Sequence, residues 1–320
     1  QAVFPWVNKT AVGVCAIVVL TIIHLVDVGF GCQFQNIFSA GKVLLICAFA
    51  AAGLFTAHPQ HIVLWPGNEV GTILSPAFAV GLVYVSYAYS GWNASAYVAG
   101  EVPKPERNIP ISLFLGTLVV SVCYVLLNFV FLYTVPVREL TGRIDVAYLS
   151  AEAVFGGIGA RIVTLLICLA LVSNLSSMIM AGPRVTQAMG EDIGALRLFA
   201  KKNKRGSPIY AVVFQSSVAL LLTAASAFNA ILTYVGFTLT LFTFMTVLGI
   251  FVLRVKKPGL KRPFKMWGYP VTPALYLLVN GWMLCYLLIE RPFPSAVGLV
   301  TVGSALLLYR VLSRPANITS

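Results

Sequence analysis

Charged residues are scarce in this sequence. They make up 10% of its 320 residues, with only 10 Asp and Glu together, whereas hydrophobic residues make up 59%. A soluble domain usually has about 25% charged and about 45–50% apolar residues. This shortage of charge excludes a water-soluble enzyme, a disordered chain and an ordinary nucleic-acid-binding protein. The apolar excess favours one bundle that is embedded in a membrane.

Metal-binding and disulfide patterns are absent as well. The six cysteines show no C-x-x-C spacing, and most lie inside apolar runs, where a thiol behaves as a small hydrophobic side chain. We therefore expect no metal site, no cofactor and no disulfide framework. The first apolar run also lacks the basic segment of a cleavable signal peptide, and the chain begins with Gln1 rather than Met, which predicts a fragment of a longer protein.

Nine long apolar runs dominate the sequence instead. A helix that crosses the hydrocarbon core of a bilayer needs about 20 apolar residues, and a backbone in lipid must satisfy its own hydrogen bonds. The runs lie near residues 9–30, 36–57, 71–99, 109–135, 159–182, 208–227, 229–254, 270–289 and 294–313. The sequence therefore predicts an all-α membrane protein, with residues 1–320 forming a single transmembrane domain of about nine helices.

The basic residues are distributed unevenly between the segments that connect these runs. The net charge is +12, and 22 residues are Lys or Arg. Five of the 22 lie on one side of the membrane if all nine runs span it, and sixteen lie on the other, namely Lys104, Arg107, Arg184, Arg197, Lys201, Lys202, Lys204, Arg205, Arg254, Lys256, Lys257, Lys261, Arg262, Lys265, Arg310 and Arg314. Because basic loops remain cytoplasmic, this bias predicts a multi-pass protein of the plasma (inner) membrane with a cytoplasmic C-terminus. It also accounts for the net charge without a nucleic acid partner.

Few ionisable residues lie inside or at the edge of the apolar runs, and three of them are candidates for function. Lys42, in the second run, either extends its ammonium group to the interface or has a functional role. His24 and Asp27 lie three residues apart on one face of the first run. They are the one pair that a membrane enzyme could use, but a packed histidine and an interfacial aspartate are the simpler interpretation. We therefore do not predict an enzyme.

The third run is unusual because a glycine lies among hydroxyl-bearing and aromatic residues. Residues 84–93 read YVSYAYSGWN. Serine, tyrosine and glycine are weak helix formers, so the helix could unwind here and expose backbone groups to a cavity. Composition alone leaves a second interpretation open, in which Gly91 packs closely against a neighbour and the aromatic residues form an interfacial belt.

Three segments between the runs carry recognisable motifs. Residues 101–110 read EVPKPERNIP, residues 184–192 read RVTQAMGED, and residues 262–270 read RPFKMWGYP. In this order and spacing they resemble the signatures E-V-x-x-P-x-R-N-I-P, R-x-x-x-A-M-A-R-D and R-P-F-K-x-P-G-Y-P of the amino acid–polyamine–organocation transporter superfamily, although Gly190 and Glu191 depart from the second. Within that superfamily, residues 87–93 are similar to the L-type amino acid exchangers and their bacterial relatives.

The resemblance implies a leucine-transporter-type inverted-repeat helical bundle. Counted back from the motifs, the chain would begin near the family's fourth helix and would lack the first three helices. Residues 1–57 would then be the end of the first repeat, residues 71–254 the second five-helix repeat, and residues 267–314 two accessory helices. The third run would be the family's broken sixth helix, which binds the amino acid together with the first helix.

The resemblance also implies roles for individual residues. Tyr87 would close over the substrate, residues 88–90 would offer backbone carbonyl groups to its ammonium group, and Gly91 would permit the turn. Trp92 and Asn93 would shape the side-chain pocket. The full set of implied substrate-binding residues is Tyr87, Ala88, Tyr89, Ser90, Gly91, Trp92, Asn93, Phe237 and Thr240.

For Lys42 the resemblance implies an ion-coupling or structural role. It would lie on the family's fifth helix, near the space that a sodium ion occupies in sodium-dependent members. Ser173 and Ser177, one helical turn apart, could face it, although hydroxyl bonding within their own helix explains them equally well. The ion-coupling candidates are therefore Lys42, Ser173 and Ser177.

The implied function is that of an amino acid transporter (permease) that works by alternating access, either as a sodium-independent antiporter or with proton coupling. No carboxylate lies in residues 84–93, so neutral amino acids are favoured. Two alternatives stay open: a transport-deficient amino-acid-binding membrane sensor, and a polyamine or cationic amino acid permease. Some animal relatives have a disulfide-linked accessory subunit, but no predicted outward loop contains a cysteine, so the expected partners are the amino acid substrate and the lipid bilayer.

Overall fold

The structure is a computed structural model that describes residues 6–26, 28–56, 60, 62, 69–97, 99–204, 206–224, 228–262 and 264–312. Every regular element of these residues is helical, which confirms the predicted all-α class. The 3-10 helices are Ala99–Glu101 and Gly194–Ala200. The α-helices are α1 (Lys9–Val26), α2 (Val28–Thr56), α3 (Glu69–Ile73), α4 (Pro76–Ala88), α5 (Ala94–Tyr97), α6 (Pro105–Thr134), α7 (Val137–Leu140), α8 (Val146–Asp192), α9 (Ile209–Ala224), α10 (Phe228–Lys256), α11 (Val271–Glu290) and α12 (Pro292–Leu312).

The apolar helices match the nine predicted runs. Within the described residues, 6 helices are long and apolar enough to cross a membrane, namely α2, α6, α8, α10, α11 and α12. Three shorter apolar helices, at Thr10–Leu25, Pro76–Ala88 and Ile209–Ala224, account for the other three runs. Their number and composition are those of a multi-pass membrane protein.

Two helices are longer than the sequence predicted. The predicted connection near residues 31–35 is helical, because α2 already begins at Val28. The run at 159–182 is only the middle of α8, which has 47 residues and is interrupted at Gly156, where φ is 70°. Gln187, Met189 and Glu191 are good helix formers, so they continue the helix beyond its apolar part. Hydropathy alone therefore placed the end of this helix too early.

The chain divides into two compact units. The first comprises Gln1–Leu64 and Phe114–Ser226, and the second comprises Trp65–Leu113 and Ala227–Ser320. The first unit contains α1, α2, α7, α8, α9 and most of α6, whereas the second contains α3, α4, α5, the start of α6, α10, α11 and α12. Lys42 accordingly belongs to the first unit, and the segment around Gly91 belongs to the second.

Small and branched residues hold the helices of the first unit together. Phe49 of α2 packs with Val130 of α6 and Ala151 of α8. A Cβ atom at Gly53 of α2 would lie only 2.6 Å from Val130 Cγ1. Close approach at small residues is typical of helix packing in membranes, and here it brings α2 against α6.

A loop covers the C-terminal end of α1 in the same unit. Asn203 Nδ2 donates a hydrogen bond to the Leu25 carbonyl at 2.9 Å, and Ser207 Oγ donates to the His24 carbonyl at 3.0 Å. Asn203 Oδ1 also accepts the Ser207 N–H at 2.9 Å, which holds the loop in shape. The last carbonyl groups of a helix have no partner within it, so this loop supplies the missing donors.

The core of the second unit is formed by α4, α10 and α11. Val83 of α4 packs with Phe237 of α10 and with Met283 and Leu287 of α11, and all four side chains are almost completely buried. A Cβ atom at Gly298 of α12 would lie 2.6 Å from Phe237 Cδ1, so α12 closely approaches this core. The packing of Val83 fixes α4 just before the segment that the sequence predicts to unwind.

Candidate functional site

The third predicted run is broken in the structure. Ser75 caps the N-terminus of α4, and this helix ends at Ala88. Residues 89–93 form a turn, in which Gly91 has a φ of 108°, and α5 begins at Ala94. Only glycine adopts such a φ without steric cost. The segment is therefore unwound, and an uninterrupted helix over residues 71–99 is excluded.

Several backbone groups of the turn bond to the helices on either side of it. The Ser90 N–H donates to the Tyr87 carbonyl at 2.9 Å, and the Ala94 N–H donates to the Gly91 carbonyl at 3.0 Å. The carbonyl of Ser90 differs, because no residue in the described part of the chain donates a hydrogen bond to it. Ser90 is also exposed. The break thus presents a backbone acceptor that a ligand or water can use.

A cavity of about 60 Å³ lies beside the turn. From α4 and the turn it is lined by Ser86, Tyr87, Ser90, Trp92 and Asn93. From α10 and α11 it is lined by Gly236, Leu239, Thr240, Thr243, Tyr276 and Asn280. These described lining residues are rich in hydroxyl and amide groups, and none of them carries a charge. The volume is sufficient for a few water molecules or a small polar group.

The predicted substrate-binding residues fall into two sets. Ala88, Tyr89 and Gly91 belong to the helix end and the turn but do not line the cavity, and Phe237 packs in the core of the second unit. The others line the cavity, namely Tyr87, Ser90, Trp92, Asn93 and Thr240. The structure thus brings the broken helix together with α10 at one cavity, through Thr240 and not through Phe237.

The side chains of Tyr87 and Trp92, at the turn, are not buried in the core. Trp92 is 48% exposed and Tyr87 is 39% exposed. Asn93 Nδ2 donates to the Tyr97 hydroxyl oxygen at 2.5 Å, which orients its amide group. Large aromatic groups beside a polar cavity provide contact area for a ligand while their polar neighbours select its chemistry.

Sequence reasoning missed the contribution of α11. Tyr276 and Asn280 lie four residues apart, on one face of this helix. Asn280 is buried, and a buried amide inside an apolar span is costly unless its polar atoms have partners. An asparagine inside an otherwise apolar helix was therefore the signal that could have identified Asn280. Thr243, one turn after Thr240, was missed because hydroxyl residues commonly bond to their own helix and carry little information.

Lys42 has an amide partner in the first unit. Its Nζ donates to Asn174 Oδ1 of α8 at 2.6 Å. Ser173, the neighbour of this asparagine in sequence, is buried, and Ser177 donates its hydroxyl to the Ser173 carbonyl at 3.1 Å. Among the residues that the structure describes, the partner of the ammonium group is therefore Asn174, which was not among the residues predicted from the sequence. The hydroxyl proton of Ser177 is used in a hydrogen bond within α8.

A groove of about 450 Å³ surrounds the Lys42 side chain. Apart from Lys42 its lining is apolar and comes from α2 and α8, namely Ile37, Phe38, Gly41, Leu44, Leu45, Ala48, Leu166, Leu169 and Ala170. No ion pair between described residues involves Lys42. An ammonium group with a neutral partner in apolar surroundings is energetically costly, so its presence favours a functional role.

His24 has a packing role in the first unit. It is buried, and its Nε2 atom lies 2.9 Å from Ser176 Oγ of α8. The side chain thus joins α1 to α8, as expected of a packed histidine. Asp27, the other member of the pair that a membrane enzyme could use, lies outside the described residues.

The three motif segments shape the ends of helices. Pro105, in the first, opens α6, and the fixed φ of proline suits the first position of a helix. Gly190, in the second, lies against the 3-10 helix, since a Cβ atom there would be 2.7 Å from the Leu196 carbonyl oxygen. Arg262, in the third, donates to three backbone carbonyl groups just after α10. These contacts give the motifs a structural role at the boundaries of the spans.

Comparison with known proteins finds relatives along nearly the whole chain. A family model described as amino acid permease matches residues 1–308. The chain is 25% identical over 291 residues to the b(0,+)-type amino acid transporter 1 of Mus musculus. It is 28% identical over 298 residues to the Large neutral amino acids transporter small subunit 2 of Homo sapiens. It is 26% identical over 289 residues to the Serine/threonine exchanger SteT of Bacillus subtilis (strain 168).

These alignments cover more of this chain than of the relatives. In the same order they include 90%, 92% and 88% of the chain, but 59%, 55% and 65% of the three relatives. The chain therefore spans between half and two-thirds of the length of these curated proteins. All three are named as amino acid transporters or exchangers.

Proposed function

This chain belongs to the amino acid permease family, and we propose that it is part of a secondary transporter that moves neutral amino acids across the plasma membrane. The observation that carries the proposal is the helix break at residues 89–93 beside a polar, uncharged cavity. Backbone that is not helical is tolerated at membrane depth where it lines a cavity, and transporters place their substrate sites at such breaks.

The Ser90 carbonyl supports recognition of the substrate's ammonium group. It accepts no hydrogen bond from the described residues and lies in the turn that opens beside the cavity. A carbonyl oxygen is a strong acceptor, and an ammonium group has three donors and no acceptor. In the proposed site Tyr87 and Trp92 would contact the substrate, and Asn93 and Thr240 would border its side chain.

The uncharged lining supports neutral substrates. A cationic amino acid or a polyamine would need a carboxylate to compensate its charge inside the membrane, and none of the described cavity residues is acidic. The names of two relatives agree with this choice, since one is a large neutral amino acids transporter subunit and the other a serine/threonine exchanger.

For the architecture we propose an inverted-repeat bundle. Residues 1–57 would be the end of the first repeat, residues 71–254 the second repeat and residues 267–314 two accessory helices. The broken third run supports this assignment, because a discontinuous helix is typical of such repeats. The sixteen basic residues on one side, against five on the other, support a cytoplasmic C-terminus in the plasma membrane.

Transport would proceed by alternating access, in which the substrate binds at the break and lowers the barrier between outward and inward states. Lys42 would take part in the change of state without sodium. Its bond to Asn174 joins α2 to α8, so a rearrangement of these helices would break or remake a charged hydrogen bond. Ser173 and Ser177 would support α8 next to this pair.

Counterflow in proteoliposomes tests the proposal. Labelled threonine or leucine is added outside vesicles that contain a panel of unlabelled amino acids, with this 320-residue chain beside the longest natural reading frame that contains it. Uptake that depends on internal neutral amino acids supports an exchanger. Uptake that needs a proton gradient instead supports proton coupling.

The control is the same protein with an empty vesicle interior. If neither form takes up label with any internal amino acid or proton gradient, although labelled amino acid still binds, the transport proposal is wrong and a sensor takes its place. If only arginine, lysine or polyamines exchange, the assignment of neutral substrates is wrong.

A further inference from the structure

Asn280 lines the cavity and has an unused acceptor. Its Nδ2 donates to the Tyr276 carbonyl at 2.9 Å within α11. A carbonyl oxygen can receive only the amide nitrogen, so this bond fixes which end of the Asn280 amide faces the helix. Oδ1 is left on the other end, and no residue in the described ranges donates a hydrogen bond to it. Asn280 lines the cavity and is only 7% exposed.

Two threonines of α10 add acceptors to the same cavity. Thr240 Oγ1 donates to the Gly236 carbonyl at 2.8 Å, and Thr243 Oγ1 donates to the Leu239 carbonyl at 2.8 Å. Each hydroxyl has a single proton, which these bonds use, so each oxygen keeps only its capacity to accept. Together with Asn280, α10 and α11 therefore supply three neutral acceptors.

These acceptors define the chemistry of the group that fits. A carboxylate has no proton to donate, and a second ammonium group, beyond the one assigned to the Ser90 carbonyl, would be buried without a compensating charge. A methyl group would leave buried acceptors without partners, at the full cost of their desolvation. A small neutral hydroxyl has one proton, which it can donate to one of these acceptors, and its size agrees with a cavity of about 60 Å³.

We propose that α10 and α11 form a side-chain subsite for small hydroxyl-bearing neutral amino acids, in which Asn280 Oδ1 accepts the substrate hydroxyl. This subsite rests on the proposed transport function and specifies its substrate class. It gives α11, assigned above as an accessory helix, a direct part in selectivity. Thr240 and Thr243 complete the subsite from α10.

Threonine and valine form the probe pair, because they have nearly the same shape and differ by a hydroxyl in place of a methyl group. Both are measured as exchange substrates of the longest reading frame in proteoliposomes. The wild-type protein should prefer threonine. Asn280→Leu should lower the ratio of threonine to valine exchange about twofold to tenfold, which corresponds to the loss of one hydrogen bond.

Asn128→Leu is the matched control. Asn128 of α6 makes the same bond, from its Nδ2 to the Tyr124 carbonyl at 2.8 Å, but it is exposed and does not line the cavity. Its substitution removes an identical contact within a helix and should leave the threonine to valine ratio unchanged. An equal change in both variants would overturn the subsite.

A second pair keeps the test decisive if Asn280→Leu does not fold. Thr243→Val removes an acceptor from the cavity, whereas Thr246→Val removes an equivalent hydroxyl, bonded to the Phe242 carbonyl at 2.7 Å, from an exposed position of α10. Only the first should lower the ratio. If the wild-type protein exchanges neutral amino acids but no cavity variant changes the ratio, the subsite is wrong and the transport function stands. If the wild-type protein exchanges none, the transport function itself is wrong.

Discussion

Removing the charge of Lys42 should slow transport far more than it weakens substrate binding. Lys42→Met keeps most of the apolar stem that lies in the groove and deletes only the ammonium group. The bond to Asn174 is 2.6 Å long and carries a charge. Bonds of this type contribute about 1.5–3 kcal/mol. A pair that is intact in one state of the cycle and broken in the other would therefore bias the states about tenfold to a hundredfold.

Substitution of Asn174 allows the energy of the Lys42–Asn174 hydrogen bond to be measured as a coupling energy. Asn174→Leu leaves the ammonium group in an apolar groove without its described acceptor, so it should lower stability more than Lys42→Met does. The double variant has neither group and should be more stable than Asn174→Leu alone. In a double-mutant cycle the coupling energy should be about 1–3 kcal/mol, as is found for residues in contact.

Two measurements distinguish an effect on translocation from an effect on substrate binding. Exchange rates in proteoliposomes report translocation, and binding of labelled substrate to the solubilised protein reports the site. Lys256→Met, an exposed lysine at the end of α10, serves as the control for loss of one positive charge. Exchange by Lys42→Met at the wild-type rate, or strictly additive effects in the cycle, would refute the reasoning and leave Lys42 as a lysine that extends to the interface.

Three further predictions follow from the site and the packing. Trp92→Ala should change which amino acids compete for exchange more than it changes protein yield, because Trp92 lines the cavity outside the core; an unchanged competition profile would contradict its role. Exchange should persist when choline replaces external sodium, since in the proposed mechanism Lys42 takes part in the change of state without sodium, and a steep sodium dependence would contradict that role. Gly53→Ala should be about 1–3 kcal/mol less stable than Gly41→Ala in thermal melts, because its Cβ would meet Val130 at 2.6 Å whereas nothing lies within 4 Å of a Cβ at Gly41; equal melting temperatures would contradict it.

The sequence predicts the helices well because a membrane-spanning helix needs a run of apolar residues, and such a run can be recognised from amino-acid composition alone. The nine apolar runs correspond to the nine apolar helices found among the described residues, and the weak helix formers around Gly91 correspond to the break. The end of α8 was misplaced because helix propensity, and not hydropathy, decides where a helix ends beyond its apolar part. The inverted-repeat arrangement remains a prediction.

The contacts between helices were not predictable in the same way. In a soluble protein the polar face of a helix points to solvent, so the opposite, apolar face is the one that packs. A helix in lipid is apolar on both its lipid face and its packed face, so its sequence does not distinguish them. The sequence therefore gave no indication that Lys42 would meet Asn174 and not Ser173 or Ser177. Asn280 was missed although an amide inside an apolar span is itself a signal, whereas Thr240, on a neighbouring helix, was identified.

The carbonyl of Ser90 has a consequence for how selectivity can evolve. It belongs to the main chain, so every amino acid type at position 90 presents the same oxygen, and no point mutation can delete it. The residues that border the cavity from α10 and α11 have no such protection. If the proposed site is right, lineages would therefore exchange one substrate preference for another at Thr243, Tyr276 and Asn280 while the proposed acceptor for the ammonium group is inherited unchanged. A directed-evolution library confined to those three positions should yield active proteins with new preferences, and one confined to Gly91 should yield mostly inactive proteins.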